Sequence, residues 1–324
     1  MTIKKKGILV ANLLVAMLLC GISYFAIENV LPYASIKPFK MNAASLFEFR
    51  QGILPSDFGL EFEHLTFQTK DSLTLRGYWI KADTPRGTVV LIHGITDCKE
   101  HLYPLCQRLK EIGVQSIIFD LRAHGQSDGM YCTFGYLEKN DIDIIVDSLI
   151  QRNIKQPIGI YGNSLGGAVA LQVLGENKKL KFGIIESTFD EFPKVALEYG
   201  EEFIGIRSES LTNHVLKKSG EIAHFDPFKV KPVVSCAAIT CPIFMSHGDS
   251  DKKIPVSFGE NNFRALKTND KQFIHVKDAG HTNLHTKGGM FYWEMMKKFI
   301  LKNTESVDSC NTDTEGGLFQ LANK

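Results

Sequence analysis

The sequence predicts an α/β fold in which a mostly parallel central sheet carries helices on both faces and a short helical cap is inserted late in the chain. Three observations predict it. Short apolar runs of the kind that form strands buried on both faces fall at residues 88–92, 115–119, 157–161, 182–185, 243–246 and 272–276. Segments of helical character lie between or after them, at 99–112, 137–152, 165–175, 257–266 and 288–301, and strand alternating with helix implies parallel crossovers. Residues 189–236 break the alternation, with several apolar and aromatic residues but no core strand, and read as the cap.

The elements ahead of this pattern follow a different rhythm. Residues 60–69 alternate bulky and polar side chains, Asp71-Ser72 supplies a turn, and 73–81 alternate again, which predicts an antiparallel hairpin. Residues 28–59, with Pro32, Pro38 and Pro55, read as a connector that packs loosely or holds one short helix. The main unit then spans 60–301, and the polar stretch 302–324 is expected to be a flexible tail.

Lys4, Lys5 and Lys6 precede an uncharged stretch at 7–27. As a helix it is ~31 Å long, the hydrocarbon thickness of a bilayer. Residues 1–27 therefore read as a membrane anchor. A cleaved signal is the alternative, although its apolar region is usually only about 7–15 residues long. A lipoprotein cut before Cys20 needs a small preceding residue, and Leu18 and Leu19 stand there. The lysines are expected to stay cytoplasmic, which puts the rest outside: periplasmic, extracellular or luminal. In such a compartment Cys236 and Cys241 are close enough in sequence to close a small loop.

Composition narrows the function classes. Thirty-seven Lys+Arg against thirty-six Asp+Glu leave a net charge of +1, so no global field attracts nucleic acid and none is expected as a partner. With 44% hydrophobic and 23% charged residues, the chain is neither disordered nor a polytopic membrane protein. Its seven cysteines show no Cys-x-x-Cys spacing, which argues against a zinc site or a disulfide scaffold.

Gly162-Asn163-Ser164-Leu165-Gly166 follows a strand run and opens a helical one. A serine hydroxyl is a weak nucleophile unless held exposed beside a base, and a sharp strand-to-helix turn does this only if small flanking residues let strand and helix approach. Ser164 is thus the candidate nucleophile. In the template for such a turn, the oxyanion takes one N–H from the next residue, Leu165, and one from the loop after an earlier strand, here Ile95 in His93-Gly94-Ile95. His93 and His247 are better read as loop braces, and His275, inside a strand pattern, as packed.

His281, in Asp278-Ala279-Gly280-His281 just beyond the last strand, is the candidate base. It has the i, i+4 spacing of metal ligands with His285, but the glutamate of His-Glu-x-x-His is absent. The orienting acid is expected from His247-Gly248-Asp249-Ser250-Asp251. Asp249 comes early and suits a turn, whereas Asp251 leaves enough chain to swing back toward the histidine. The order Ser164, Asp251, His281 is the one this strand–turn–helix nucleophile calls for.

Phe119-Asp120-Leu121-Arg122-Ala123-His124-Gly125-Gln126-Ser127-Asp128-Gly129 resembles the loop after the fourth strand in α/β-hydrolases of the monoglyceride-lipase and prolyl-aminopeptidase-like group, where Gly usually occupies the Ala123 position. Asp71-Ser72-Leu73-Thr74-Leu75-Arg76-Gly77-Tyr78-Trp79 resembles their amino-terminal hairpin, and the His-Gly-x-x-Asp spacing to Asp251 also fits. The resemblance covers about residues 60–301. It implies the α/β-hydrolase fold and a serine hydrolase needing neither metal nor organic cofactor, but it is a poor guide to substrate, because one scaffold serves many chemistries. The expected activity is cleavage of a carboxylic ester, on a small-molecule or lipid-like acyl substrate, through an acyl-enzyme. An aminopeptidase, amidase or thioesterase is the alternative on the same residues, and a catalytically silent binding member the alternative from another class. In the cap, Phe189, Phe192, Leu197, Tyr199, Phe203, Ile204 and Ile206 are too apolar for a solvated loop, so they either pack as core or line an acyl pocket.

Overall fold

A computed structural model describes residues 3–41 and 54–305, with side chains from Ala11 onward. The described residues form an eight-stranded sheet: β1 (Phe62–Gln68), β2 (Thr74–Ile80), β3 (Gly87–Ile92), β4 (Val114–Phe119), β5 (Ile158–Asn163), β6 (Gly183–Glu186), β7 (Ile243–Gly248) and β8 (Lys271–Val276). They lie in the order β1-β2-β4-β3-β5-β6-β7-β8. β1 and β2 form the expected hairpin, in register from Gln68 opposite Thr74 to Phe62 opposite Ile80, and β2 also runs antiparallel to β4. All other pairs are parallel.

The period-2 geometry of a strand sorts the core into two layers. Val90 and Ile92 of β3 face one core with α4 (Glu138–Gln151), α5 (Leu165–Glu176) and α9 (Val256–Ala265); Val89 and Leu91 face another with α3 (Tyr103–Glu111) and α10 (Leu284–Thr304). With helices on both faces, every residue of β3 and β4 is buried, which is why these strands read as unbroken apolar runs. His275 departs from expectation: its side chain is 51% exposed and lies 3.6 Å from Glu260, because β8 is the edge of the sheet and its outer neighbours are solvent.

The hairpin and the loop after β4 are tied together. Arg122 donates to both Asp71 and Asp141, and Asp128 accepts from Arg76 and from the Thr74 N–H. Buried Asp120 accepts from the Lys99 ammonium at 2.7 Å and from the N–H groups of Lys99 and Gln126 at 2.9 Å. Ala123 holds a left-handed backbone (φ 63°), the reason glycine is favoured there.

Between β6 and β7 the chain is helical: α6 (Phe192–Ile204), stopped by Gly205 at φ 69°, α7 (Glu209–Ala223), capped by Ser208, and α8 (Pro232–Cys236). At the amino end, α1 (Ile3–Asn29) is followed after Val30 alone by α2 (Leu31–Ile36), which packs on α7 with Pro32 and Ile36 buried. The Ser35 and Ser219 hydroxyls, one on each helix, lie 2.7 Å apart. Cys236 and Cys241 are both free thiols rather than a closed loop. Part of the connector (42–53) and the tail from 306, with Cys310, lie outside the described residues.

Candidate active site

Ser164 sits between β5 and α5 with φ 54° and ψ −117°, a backbone that costs energy and aims the side chain out of the turn. Two close approaches make the turn possible. A Cβ on Gly162 would stand 2.2 Å from the Gly166 carbonyl oxygen, and one on Gly166 would stand 2.3 Å from that of Ile92. The Ser164 N–H donates to the Glu186 carbonyl at 2.8 Å, and the Thr188 hydroxyl donates to the Ser164 carbonyl at 2.8 Å, so β6 holds the turn from below.

The Ser164 Oγ lies 2.9 Å from His281 Nε2, and His281 Nδ1 lies 2.8 Å from Asp251 Oδ2. Three turns at the same edge of the sheet, after β5, β7 and β8, bring these residues together. Asp251 is anchored through its other oxygen, which accepts the Lys253 and Ile254 N–H groups at 3.0 Å. Burial works against its charge, yet the partners His247 and His281 and these N–H groups hold its carboxyl well below the usual carboxylate range. Asp249 is exposed and accepts from the Asp278 N–H and the Ser250 hydroxyl, the bonds of a turn residue.

The loop after β3 reaches Ser164. A Cβ on Gly94 would lie 3.0 Å from Asn163 Oδ1 and 3.6 Å from the Ser164 Cβ. His93 is buried, accepts the Leu121 N–H at Nε2 and therefore donates from Nδ1 to the Gly94 carbonyl; it braces this loop. His247, also buried, lies 2.8 Å from the Ile254 carbonyl and steadies the Asp251 loop. His281 and His285 do not converge: His285 is directed to Glu186, at 3.1 Å.

Above the serine is a cavity of about 740 Å³, a usual size for a small-molecule site. Phe192, Tyr199, Phe203, Ile204 and Ile206 of the cap line it; Phe189 and Leu197 do not. Ile95, Asp97, His101 and Lys253 line it on the side of the β3 and β7 loops.

A family described as serine aminopeptidase, S33 matches residues 83–188, a stretch that includes β3, the Arg122 loop and the Ser164 turn. Protein bem46 of Schizosaccharomyces pombe is 27% identical over 260 residues, covering 77% of this chain and 80% of that protein. A protein of Saccharomyces cerevisiae named as the membrane protein YNL320W is 24% identical over 252 residues, covering 76% and 82%. Among solved structures, the Pyrococcus furiosus esterase Pf2001 is 25% identical with a TM-score of 0.65, over 82% of this chain and 97% of that one. The chain has the α/β-hydrolase fold and is a hydrolase similar to these proteins. Est1E of Butyrivibrio proteoclasticus, solved with ferulic acid bound, shares the fold of this hydrolase at 20% identity and a TM-score of 0.59, over 74% and 98%.

Two features of the hydrolase escape sequence reasoning. Glu186, at the end of β6, is buried and accepts from Tyr161 at 2.7 Å, from Tyr292 at 2.5 Å and from His285. Burial opposes its charge, but His285 and the two tyrosines hold its carboxyl below the ordinary value, and Glu186 in turn raises His285. A lone acid in the apolar run Phe182-Gly183-Ile184-Ile185-Glu186 was the available signal. The second feature is α2, whose Leu31, Ala34 and Ser35 line the same cavity as the cap.

Proposed function

We propose that this hydrolase cleaves carboxylic esters through an acyl-enzyme formed on Ser164. The observation that carries the reading is the unbroken hydrogen-bonded chain from Ser164 through His281 to Asp251, opening into an apolar cavity. The Ser164 Oγ attacks the carbonyl carbon while His281 Nε2 takes its proton, and Asp251 orients the ring and stabilises the imidazolium. The Ile95 and Leu165 N–H groups hold the oxyanion. His281 returns the proton to the departing alcohol, then draws one from a water that attacks the acyl carbon and passes it to the Ser164 Oγ as the carboxylic acid leaves.

Ester is favoured over a peptide amino terminus by the charges at the cavity. An α-ammonium needs a free carboxylate, and Asp97 is already engaged by His101 and by the Cys98 N–H. The resemblance to an esterase at 25% identity points the same way. Residues 60–301 form the catalytic unit with its cap at 189–236, and the apolar span that begins at Ala11 in α1, where an 18-residue stretch reaches a mean hydropathy of 1.9, anchors it in a membrane with that unit outside the cytoplasm.

A fluorophosphonate probe tests the nucleophile. It should label the wild type and leave a Ser164→Ala variant of unchanged melting temperature unlabelled; persistent labelling of that variant would falsify the assignment.

A further inference from the structure

The carboxyl end of α1 is fixed to the cap. Glu28, in its last turn, pairs with His214 at 2.8 Å and with Lys218, both on α7. Only Val30 separates α1 from α2, so the helix that leaves the apolar span runs straight into the cavity wall. Leu31 and Ala34 share that wall with Phe203, Ile204 and Ile206, three side chains at the end of α6 and just beyond it that are also exposed, Phe203 to 69%. Apolar side chains standing together at a cavity rim in water signal a missing apolar partner. With α1 in a bilayer, the tether through Glu28 and the short Val30 link hold this rim against the same membrane. The polar lining residues Asp97, His101 and Lys253 belong to the loops after β3 and β7, away from α2 and α6 in the chain.

We propose that the cavity takes the acyl chain of a lipid ester directly from the bilayer that α1 crosses, with α2 and the end of α6 forming the entrance. The inference rests on the esterase and anchor readings above. α2 is thereby a wall of the acyl site as well as the link to the anchor, and the polar headgroup portion is left beside the β3 and β7 loops.

The test uses full-length protein in phosphatidylcholine vesicles. A long-chain monoacylglycerol is supplied either in the same bilayer or in separate protein-free vesicles, with 4-nitrophenyl acetate in the buffer as the soluble ester. The same-bilayer rate should exceed the separate-vesicle rate by about tenfold or more. Ala34→Trp, which fills the wall, should lower the ratio of monoacylglycerol to acetate turnover by about tenfold. Ile206→Asp, at an exposed position outside the buried core, should lower the same ratio. Equal rates from the two vesicle populations, or ratios unchanged in both variants, with acetate turnover intact, overturn the lipid-entry proposal alone. Absent or Ser164-independent acetate turnover overturns the esterase reading and this proposal with it, and release of the protein by carbonate overturns the anchor.

Discussion

Ser164, Asp251 and His281 stand on short turns at one edge of the sheet, each held by backbone hydrogen bonds or a neighbouring side chain, while the helices across the cavity present Phe203, Ile204 and Ile206 with part of their surface bare. The floor is polar, tightly packed and geometrically fixed; the roof is apolar, and its side chains are only partly covered. Fixed polar geometry suits the stabilisation of a charge that develops at one point, whereas an apolar wall discriminates weakly between similar chains. On the proposed function, the reaction type is therefore carried by the floor and the choice of substrate by the roof.

That division can be broken in three places, and the largest effect is expected at the floor. Asp251→Asn should lower ester turnover about 10⁴-fold with little change in melting temperature, as expected for an acid that orients and stabilises an imidazolium. Asp249→Asn, which disturbs only the turn at Asp278, should lower stability by about 1 kcal/mol and leave turnover near normal. The reverse pattern would move the acid to Asp249. At the roof, Phe203→Ala should shift the preference among ester chain lengths by up to about tenfold, since removing a few buried methylene contacts is worth 1–3 kcal/mol. A uniform fall in all rates with a lower melting temperature would make Phe203 packing rather than pocket.

The smallest effect concerns Glu186 and His285, beneath the floor. Glu186 has a folded-state value below its ordinary 4.5, so its contribution to stability is present above that pH and fades as the pH falls through the lowered value. His285 is raised above its ordinary 6.5, so its contribution is complete below that pH and is lost as the pH rises through the raised value. The pair should therefore stabilise most between roughly pH 4.5 and 6.5. The melting temperature of the wild type should fall by a few degrees more than that of His285→Gln between pH 6 and pH 9. Parallel curves would show that the half-exposed His285 is screened by solvent.

What could be read from the sequence follows the same division. The strands β3 to β7 and the Ser164 turn are written in contiguous residues: apolar runs for a doubly covered sheet, and Gly162 and Gly166 on either side of a serine. The placement of Asp251 and His281 beside Ser164 was legible because each follows a strand closely, and loops after parallel strands share one edge. His275 was misplaced because periodicity says nothing about which strand lies at the sheet edge. The place of α2 at the cavity was hidden for a different reason. Leu31-Pro32-Tyr33-Ala34-Ser35-Ile36 is a short segment in a proline-dotted connector, and its partners are remote, with Ser35 meeting Ser219 across 184 positions. The Glu186 cluster likewise joins residues from β5, β6 and α10 that no local pattern connects.

The close approach at Gly162 and Gly166 bears on how this enzyme can change over evolutionary time. A Cβ on either glycine meets backbone carbonyl groups at little more than 2 Å, and no rotamer change can move a carbonyl out of the way. Both positions are therefore closed to stepwise substitution while β5 and α5 keep their spacing. Position 164 is different, because its side chain leaves the turn toward the cavity and His281 rather than into backbone carbonyl groups. A change of side chain at position 164 is thus a single-residue step, whereas drift of the turn itself requires the strand and the helix to separate together.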